Sequence, residues 1–327
     1  MTIQSCPTRC AKRHSNTSIR FPTNAVVSPR FPLPSHMMIV ISIHTYAHHK
    51  GTVMNSRKKV ALVTGASSGI GEAIAQRLFS AGYKVYGTSR RGGVSKNAFA
   101  MLPLDVTSDT SVAAAVSELI RLEGRIDLLV NNAGFGTAAA GAEESSIEQA
   151  RAIFETNFFG VARMIKAVVP HMRRQGSGRI INISSVLGFL PMPYGALYSA
   201  SKHAVEGYSE SLDHELRTHG IRVSTIEPAY TRTQFETNAI AADTPMAEYE
   251  KARAHVDAVT RELFTKADDP SVVAEAVLQA ASAERPKLRY TAGRQAKVLS
   301  LLRAFAPASA IDAGIRKNLR LHLLPTE

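Results

Sequence analysis

Short apolar runs alternate with stretches of helical periodicity over most of the chain after residue 58. The first apolar run, Val60 to Val63, is followed by a glycine-rich turn and then by apolar residues at helical spacing from Ile70 to Ala81. Further strands are predicted at residues 84–88, 100–106, 126–130, 179–183, 223–226 and 288–291, and further helices at residues 111–122, 147–173, 197–218 and 271–283. This alternation is typical of βαβ units that surround a parallel sheet.

Two parts of the chain depart from this alternation. Residues 230–270 are rich in Ala, Thr and charged residues and have weak periodicity, and a long excursion of this kind is usually a lid or a binding loop. The tail from Gln295 to Leu321 is amphipathic, with Arg and Lys between its leucines. Contact with a membrane surface is one interpretation of the tail. Packing against the same domain or a neighbouring subunit is the interpretation that we favour.

The first 53 residues differ in composition from the rest. They contain six Lys or Arg residues and no Asp or Glu, and they have neither helical nor strand periodicity. Their apolar run from Met37 to Ile43 is far shorter than the roughly 20 residues that span a bilayer, so no integral membrane span is predicted. We predict a disordered extension or a mis-assigned start over residues 1–53, with the domain over residues 54–327. A transit peptide is the alternative.

The net charge of +12 does not by itself indicate a partner. Residues 1–53 carry half of it, and no block of five or six like charges stands out. A mildly basic enzyme therefore explains the charge better than binding to nucleic acid or to an anionic membrane does. Cys6 and Cys10 are the only cysteines, and their spacing does not match a zinc site, so no metal site is predicted. The body of the chain has no disulfide framework and suits a reducing, cytoplasmic compartment.

A glycine-rich segment joins the first strand to its helix and indicates a phosphate site. It reads Gly-Ala-Ser-Ser-Gly-Ile-Gly from Gly65 to Gly71. Glycines let the backbone turn tightly and let a pyrophosphate approach, and the free N–H groups at the helix start attract the anion. Because a strand precedes this segment and a helix and a second strand follow it, the context that a dinucleotide site requires is present.

The spacing Gly-x-x-x-Gly-x-Gly resembles the pattern of the short-chain dehydrogenase/reductase family, in particular its 17β-hydroxysteroid and retinol dehydrogenase branch. The resemblance covers nearly all of residues 58–293. It implies an α/β fold with a single doubly wound Rossmann domain. The sheet would be parallel and seven-stranded, of order 3-2-1-4-5-6-7, with helices on both faces and a nicotinamide cofactor at its carboxyl edge. It also implies a homodimer or homotetramer formed through the helices near residues 147–173 and 197–218.

Further motifs follow in the order of this family, and the site residues below are those that the resemblance implies. The catalytic residues are Asn157, Ser185, Tyr198 and Lys202. The cofactor-binding residues are Gly65, Ser67, Ser68, Gly69, Ile70, Gly71, Arg90, Asp105, Val106, Asn132, Ala133, Gly134, Tyr198, Lys202, Pro228, Ala229, Thr231 and Thr233. Ala229 departs from the pattern, since the family usually has glycine after the proline that corresponds to Pro228. The backbone conformation of the loop that follows Pro228 therefore stays open.

Tyr198 and Lys202 are four residues apart, so on a helix their side chains share one face. A tyrosine has a pKa near 10, which must fall by about 2–3 before the phenol exchanges protons readily near neutral pH. A nearby ammonium group favours the phenolate. Tyr198 is therefore the predicted general acid/base, with Ser185 orienting the substrate oxygen, Lys202 also holding the ribose hydroxyls and Asn157 positioning a water that feeds protons to Lys202.

Arg90 indicates which nicotinamide cofactor is preferred. It follows the second strand in Gly87-Thr88-Ser89-Arg90-Arg91, a segment without an acidic residue. An acid at this place would hold the ribose 2′-hydroxyl of NAD, whereas an arginine accommodates the 2′-phosphate of NADP. We therefore predict that NADP(H) is preferred, with NAD(H) as the alternative.

The stretch between Ser185 and Tyr198 is apolar, Val186 to Tyr194, and is predicted to form a wall of the substrate pocket. It suits a small hydrophobic alcohol or its ketone or aldehyde. One alternative is a 3-oxoacyl reductase, which would need basic residues near the pocket mouth; Arg232 and Arg253 are too scattered in the sequence to decide. Another is a non-catalytic nicotinamide-binding redox sensor, although no catalytic residue is missing. Nucleic-acid binding would rest on charge alone.

Overall fold

The structure is a computed structural model that describes residues 58–92, 98–234 and 239–324. The extension predicted over residues 1–53, including Cys6 and Cys10, lies outside the described residues. The strands are β1 (Val60–Val63), β2 (Lys84–Ser89), β3 (Ala100–Pro103), β4 (Leu128–Asn131), β5 (Gly178–Ile183), β6 (Ile221–Pro228) and β7 (Arg289–Ala292). All of them pair in parallel in the order β3-β2-β1-β4-β5-β6-β7, which confirms the predicted doubly wound sheet.

Helices cover both faces of the sheet. They are α1 (Gly69–Ser80), α2 (Asp109–Glu123), α3 (Ile147–Phe154), α4 (Gly160–Gln175), α5 (Ala196–Leu216), α6 (Glu250–Phe264), α7 (Pro270–Ser282), α8 (Gly293–Phe305) and α9 (Ala308–Asn318). Successive strand residues point to opposite faces. Leu62 and Leu129 thus pack with α2, α4 and α5, whereas Val63 and Val130 pack with α1 and α7.

Most predicted elements are confirmed, and one strand is shorter than predicted for a local reason. The strand predicted over residues 100–106 ends at Pro103. Asp105 Oδ1 accepts a hydrogen bond from Thr107 N at 2.9 Å, and Asp105 N donates to Ser111 Oγ at 2.9 Å. These bonds form a turn that leads into α2, where the Ser108 side chain accepts a hydrogen bond from Ser111 N.

The long helix predicted over residues 147–173 is interrupted in its middle. Between α3 and α4 the backbone forms a π-helical segment, Glu155–Phe159, and Asn157 lies at the centre of this segment. Such segments are rare and often occur at functional sites.

The excursion predicted over residues 230–270 contains a helix that the sequence pattern does not reveal. The first part of residues 239–264 forms hydrogen bonds to residues 136–149, and the rest forms α6. Only Val256 and Val259 are buried on α6. The helix is therefore mostly polar, and it lacks the apolar content that marks the other helices in the sequence.

The amphipathic tail consists of two helices. Pro307 separates α8 from α9, because proline lacks the N–H that would continue a helix. Among the residues that the structure describes, none of the helices combines the length and the apolar content that crossing a bilayer requires.

Candidate active site

The residues predicted for the site lie at one edge of the sheet. Each group follows the carboxyl end of a strand: the glycine loop (residues 64–71) follows β1, Arg90 follows β2, Asp105 and Val106 follow β3, residues 132–134 follow β4, Ser185 follows β5, and residues 229–233 follow β6. In an open α/β sheet this edge is where ligands bind. The fold therefore brings together residues that are up to about 170 positions apart in the chain.

The glycine loop has a backbone that only glycine allows at several positions. Gly65 and Gly69 have φ of +65° and +59°, in the left-handed region that L side chains rarely adopt. A Cβ at Gly71 would lie 2.2 Å from the carbonyl oxygen of Gly65. Ser68 is the N-cap of α1, and its side chain makes no capping hydrogen bond. The loop thus forms a concave turn at a helix N-terminus, the geometry that suits a phosphate group.

The loop is joined to the next strand by a threonine that the sequence analysis did not single out. Thr64 Oγ1 accepts hydrogen bonds from Asn132 N at 2.9 Å and from Ala133 N at 3.0 Å. Asn132 Nδ2 in turn donates to the carbonyl oxygens of Thr64 and Gly65 at 2.9 and 3.1 Å. Thr64 is 1% exposed. A hydroxyl at the last position before the first glycine is the sequence signal that could have indicated this role.

The region predicted to contact the adenosine half of a cofactor is ordered mainly by its own hydrogen bonds. Thr107 donates to Asp105 from its backbone and side chain, and these bonds hold the pKa of Asp105 below its ordinary value. Arg90 is exposed in the turn after β2 and is one of the cations that lower this pKa further. Ala66 N donates to the carbonyl of Thr88 at 2.9 Å, so the turn that carries Arg90 adjoins the glycine loop.

The loop after β6 approaches the glycine loop from the other side. Pro228 ends β6, and Thr231 Oγ1 donates to the carbonyl of Ala229 at 3.2 Å. Thr233 is close to Gly69, since a Cβ at Gly69 would lie 3.3 Å from the Thr233 side chain.

Tyr198 and Ser185 meet at the end of β5. Tyr198 lies in the first turn of α5, and Ser185 caps a short 3₁₀ turn, where its Oγ accepts from Leu187 N at 3.1 Å. Burial raises the pKa of Tyr198 above its ordinary value, and a hydrogen bond with Ser185 acts in the opposite direction. The expectation that the ammonium of Lys202 lowers the pKa of Tyr198 stays a prediction.

Lys202 is almost completely buried beneath Tyr198. Its Nζ lies 5.7 Å from the centroid of the Tyr198 ring and donates to the carbonyl of Ile183 at 2.9 Å. Burial lowers the pKa of Lys202 to about 8, against the opposing effect of the nearby Glu206 carboxylate. An amino group with such a pKa exists in both charge states near neutral pH.

Asn157 connects α5, which carries Tyr198 and Lys202, to the loop after β4. Its Oδ1 accepts from Phe135 N at 3.1 Å, and its Nδ2 donates to the Phe135 carbonyl at 3.0 Å and to Ser201 Oγ at 3.2 Å. Gly134 leaves room for Asn157, because a Cβ at Gly134 would lie 3.0 Å from Asn157 Oδ1. The π-helical segment thus places Asn157 between the loop after β4 and α5.

The apolar stretch predicted as a pocket wall lies next to these residues. Val186 and Leu190 are buried, and Tyr194 is partly exposed with φ of +63°. A small cleft beside the first turn of α5 is lined by residues 137, 140–142, 145, 149, 194–197 and 242. The 239–264 segment therefore contributes to the wall of the cleft.

A buried ion pair fastens the 239–264 segment to the site. Glu144 is fully buried, and its Oε1 accepts from the guanidinium of Arg253 and, at 2.8 Å, from Met246 N. Arg253 therefore pairs inside the protein, and Arg232 is an exposed side chain 3.9 Å from Asp269. Arg232 lies in the loop after β6, at the edge of the sheet that carries the site, so the 3-oxoacyl reductase alternative stays open.

Comparison with known proteins assigns the family. The family model described as short chain dehydrogenase matches residues 59–244. The chain belongs to the short-chain dehydrogenase/reductase family.

Relatives in this family include enzymes of the predicted branch. The chain is 46% identical over 180 residues to a 3-ketodihydrosphingosine reductase of Bacteroides thetaiotaomicron, a match that covers 55% of this chain and 66% of that protein. It is 34% identical over 259 residues to human retinol dehydrogenase 8, covering 72% and 82% of the two chains. It is 35% identical over 278 residues to mouse 17-beta-hydroxysteroid dehydrogenase type 1, covering 77% and 78%.

Solved structures of this family share the fold. A short-chain dehydrogenase from Streptomyces avermitilis superimposes with a TM-score of 0.68 at 33% identity, covering 81% of this chain and 97% of that one. A short-chain dehydrogenase from Burkholderia cenocepacia in complex with NADP has a TM-score of 0.63 at 28% identity, covering 79% and 98%. A 3-ketoacyl-(acyl-carrier-protein) reductase from Brucella melitensis, complexed with NADH, has a TM-score of 0.61 at 29% identity, covering 71% and 96%. The chain is therefore an oxidoreductase whose structural neighbours bind nicotinamide cofactors.

Proposed function

We propose that this short-chain dehydrogenase/reductase interconverts a hydrophobic alcohol and its ketone or aldehyde with NADP(H). The observation that carries the proposal is the convergence of Tyr198, Ser185 and Lys202 at the end of β5, on the same edge as the glycine loop. Direct contacts lead from Thr64 in the loop through residues 132–135 to Asn157 and Ser201. The predicted phosphate site and the predicted proton donor thus belong to one connected structure.

The residues of the loop fit a dinucleotide. The positive φ at Gly65 and Gly69, and the lack of space for a Cβ at Gly71, are what a backbone in close approach to a pyrophosphate requires. When it is bound there, the nicotinamide dinucleotide supplies or accepts the hydride. The loop's own contribution is the set of N–H groups at the start of α1 that bind the phosphates.

Tyr198 carries the proton in this proposal. Burial raises its pKa, so the phenol is protonated near neutral pH and donates to the carbonyl oxygen during reduction. Ser185 donates a hydrogen bond to the same oxygen and orients it. In the oxidation direction the phenolate must form, and the positive form of Lys202, with its Nζ 5.7 Å from the ring centroid, would stabilise it.

Two further roles complete the proton path. Lys202 holds the ribose hydroxyls, and Asn157 positions a water that returns protons to Lys202. Asn157 is suited to this role because the π-helical segment fixes its amide on both sides, at Phe135 and at Ser201.

The cofactor preference is tested by titration of the full chain with NADPH and NADH, followed by nicotinamide fluorescence. We expect Arg90→Ala to weaken NADPH binding about ten- to hundredfold, because a charge-assisted contact to the 2′-phosphate is lost. Arg91→Ala is the matched control, since Arg91 is exposed in the same turn. An equal loss of NADPH affinity in both variants would mean that positive charge in this turn, and not a specific contact of Arg90, favours NADPH. Tighter binding of NADH than of NADPH by the wild type would refute the preference.

The substrate class is tested with a panel of carbonyl compounds. Because the pocket wall is apolar and a 46% identical relative is named a 3-ketodihydrosphingosine reductase, the panel contains a long-chain 3-keto compound, a 3-oxoacyl thioester, retinal and a 17-ketosteroid. We expect turnover of at least one of them and its loss in Tyr198→Phe. Tyr208→Phe, on the same helix α5, should retain activity. Tight NADPH binding without turnover of any member would favour the redox-sensor alternative.

We also infer that the chain forms a homo-oligomer through α3 and α4. Ile147 and Phe159 are 64% and 47% exposed there, an apolar surface that also includes Phe154. Light scattering should give a dimer or tetramer for the full chain and a smaller species for Phe159→Ser. A monomeric wild type would refute this inference.

A further inference from the structure

Helix α8 carries an apolar stripe that faces away from the rest of the described domain. Val298, Leu301, Leu302 and Phe305 are 48%, 52%, 49% and 83% exposed. Their spacing of three and four residues places them on one side of the helix. Ala296, which is fully buried, lies on the opposite side. The helix thus packs on the domain through Ala296, with Leu299 half-buried, and presents four large apolar residues outward.

The stripe is held in a fixed place by contacts at both ends of the tail. α8 starts directly after β7, and the chain returns through α9 to α6. There Leu319 and Leu321 are buried against Val256 and Val259. The carbonyl of Leu319 is 3.1 Å from Nε2 of His255. These contacts tie the end of the tail to the domain and leave the outer side of α8 uncovered by the described residues.

The charge of the tail that carries the stripe is mainly positive. Residues 293–324 contain a single acidic residue, Asp312, and six basic ones, which are Arg294, Lys297, Arg303, Arg316, Lys317 and Arg320. Arg294 is one turn before Val298 and so lies in line with the stripe, and Lys297 lies beside it. In a two-fold contact between copies, the same patch would face itself and these charges would repel one another. An anionic surface would attract them.

We propose that the outer side of α8 docks the protein onto an anionic lipid bilayer, with the apolar stripe in the interfacial region and Arg294 and Lys297 at the headgroups. A helix with an apolar face and basic flanks binds membranes in this way, lying in the plane of the interface. Docking does not depend on the proposed function.

The test measures co-sedimentation of the full chain with vesicles of phosphatidylcholine, with and without phosphatidylglycerol, at low and high salt. The wild type should bind the anionic vesicles, and salt should weaken the binding. Leu302→Ser/Phe305→Ser should lower the partition coefficient at least about tenfold, because burial of one large apolar side chain corresponds to roughly that factor. Arg294→Gln/Lys297→Gln should lower it by about thirtyfold on anionic vesicles only, because each basic residue near the surface contributes about 1 kcal/mol.

Matched variants at other surfaces distinguish binding through the outer side of α8 from nonspecific binding of the protein to vesicles. Phe79 and Leu122 are 37% and 44% exposed on α1 and α2, so Phe79→Ser/Leu122→Ser should bind vesicles like the wild type. Arg173→Gln/Arg174→Gln, at the end of α4, is the control for charge. Melting curves by circular dichroism check that each variant is folded.

Three outcomes would overturn the proposal. The wild type does not bind anionic vesicles, or Leu302→Ser/Phe305→Ser binds them as well as the wild type does. The third is that light scattering without vesicles shows this variant to lose an oligomeric state that the wild type has, in which case the outer side of α8 is a contact between copies of the chain.

Discussion

The glycine loop and the 239–264 segment are attached to the site by different kinds of contact. The loop is fixed by its backbone and by Thr64 Oγ1, which accepts from Asn132 N and Ala133 N at 2.9 and 3.0 Å. The 239–264 segment is held by the buried pair of Glu144 and Arg253, which are 109 positions apart in the chain.

The difference has consequences for how each region responds to change. Backbone atoms that approach closely cannot move aside for an added methyl group, so the loop should tolerate no new side chain. Removing one partner of a buried ion pair, in contrast, lowers the stability of the folded protein, and replacing both partners by neutral residues restores part of it. Changes in the loop should therefore abolish cofactor binding, whereas changes in the pair should lower stability and weaken substrate binding but leave cofactor binding intact.

The largest effect is expected for Gly71→Ala. The new Cβ would lie 2.2 Å from the Gly65 carbonyl oxygen and 2.4 Å from Asn132 Nδ2. We expect the affinity for NADPH to fall at least about a hundredfold, or 2.7 kcal/mol. The free energy of unfolding should fall as well, by about 3 kcal/mol. Fluorescence titration and urea denaturation measure the two quantities.

Gly207→Ala is the control for this substitution. Gly207 lies on α5, and a Cβ there would meet nothing within 4 Å. Alanine should raise the stability by about 0.5–1 kcal/mol, because glycine is unfavourable inside a helix. Unchanged NADPH affinity in Gly71→Ala would show that the loop does not approach the cofactor.

The second prediction concerns the ion pair. Arg253→Met leaves the Glu144 carboxylate, which is fully buried, without its cation, and we expect a loss of about 3 kcal/mol in the free energy of unfolding. Glu144→Gln/Arg253→Met should regain part of this loss. KM for the carbonyl substrate should rise in Arg253→Met, while the NADPH affinity stays within about twofold, well under 1 kcal/mol.

An exposed ion pair supplies the control. Arg151 and Glu148 are 3.1 Å apart with side chains 74% and 78% exposed, so Arg151→Met should change the stability by less than about 1 kcal/mol. Loss of NADPH binding in Arg253→Met, as large as that in Gly71→Ala, would contradict the separation of the two regions.

The same difference explains what the sequence could predict. The strands, the helices and the glycine turn at Gly65 follow from local patterns, namely apolar runs, helical spacing and glycines at a turn, whereas the strand order and the role of Tyr198 are implied by the resemblance to the family. The Glu144–Arg253 pair has no such pattern, because its partners are brought together only by the folded excursion. α6 was missed because it is mostly polar and buries only Val256 and Val259.

Around the predicted catalytic residues, too, features that depend on packing between distant segments could not be predicted from local sequence patterns. The spacing of Tyr198 and Lys202 predicted a shared helix face, and α5 confirms it. It could not predict that burial raises the pKa of the phenol, because the burial of a side chain depends on how segments distant in the sequence pack around it. The π-helical segment around Asn157 is another such feature, because a helical pattern does not distinguish an inserted residue in the backbone from a regular turn.

The third prediction tests the contact that fixes the loop to β4. Thr64→Val removes the oxygen that accepts from Asn132 N and Ala133 N. Leaving these N–H groups without a protein partner should lower the free energy of unfolding by about 2 kcal/mol. Thr64→Ser, which keeps the oxygen, should recover most of this loss in urea denaturation. Equal losses in both variants would mean that the methyl group, and not the hydroxyl, matters at this position.

The smallest effect concerns Lys202, which is buried beside Tyr198. Burial lowers its pKa from 10.5 to about 8, so between these values the unfolded chain binds a proton that the folded chain does not. The free energy of unfolding should therefore rise with pH across this window, by about 1–2 kcal/mol up to about pH 9.5. Lys202→Met should lack this rise, whereas Lys166→Met, at an exposed position on α4, should keep it. Urea denaturation at several pH values gives the comparison. If the wild type and Lys202→Met gave parallel curves, the amino group would titrate alike in both states, and the cation that the proposed mechanism requires near Tyr198 would be fully charged at neutral pH.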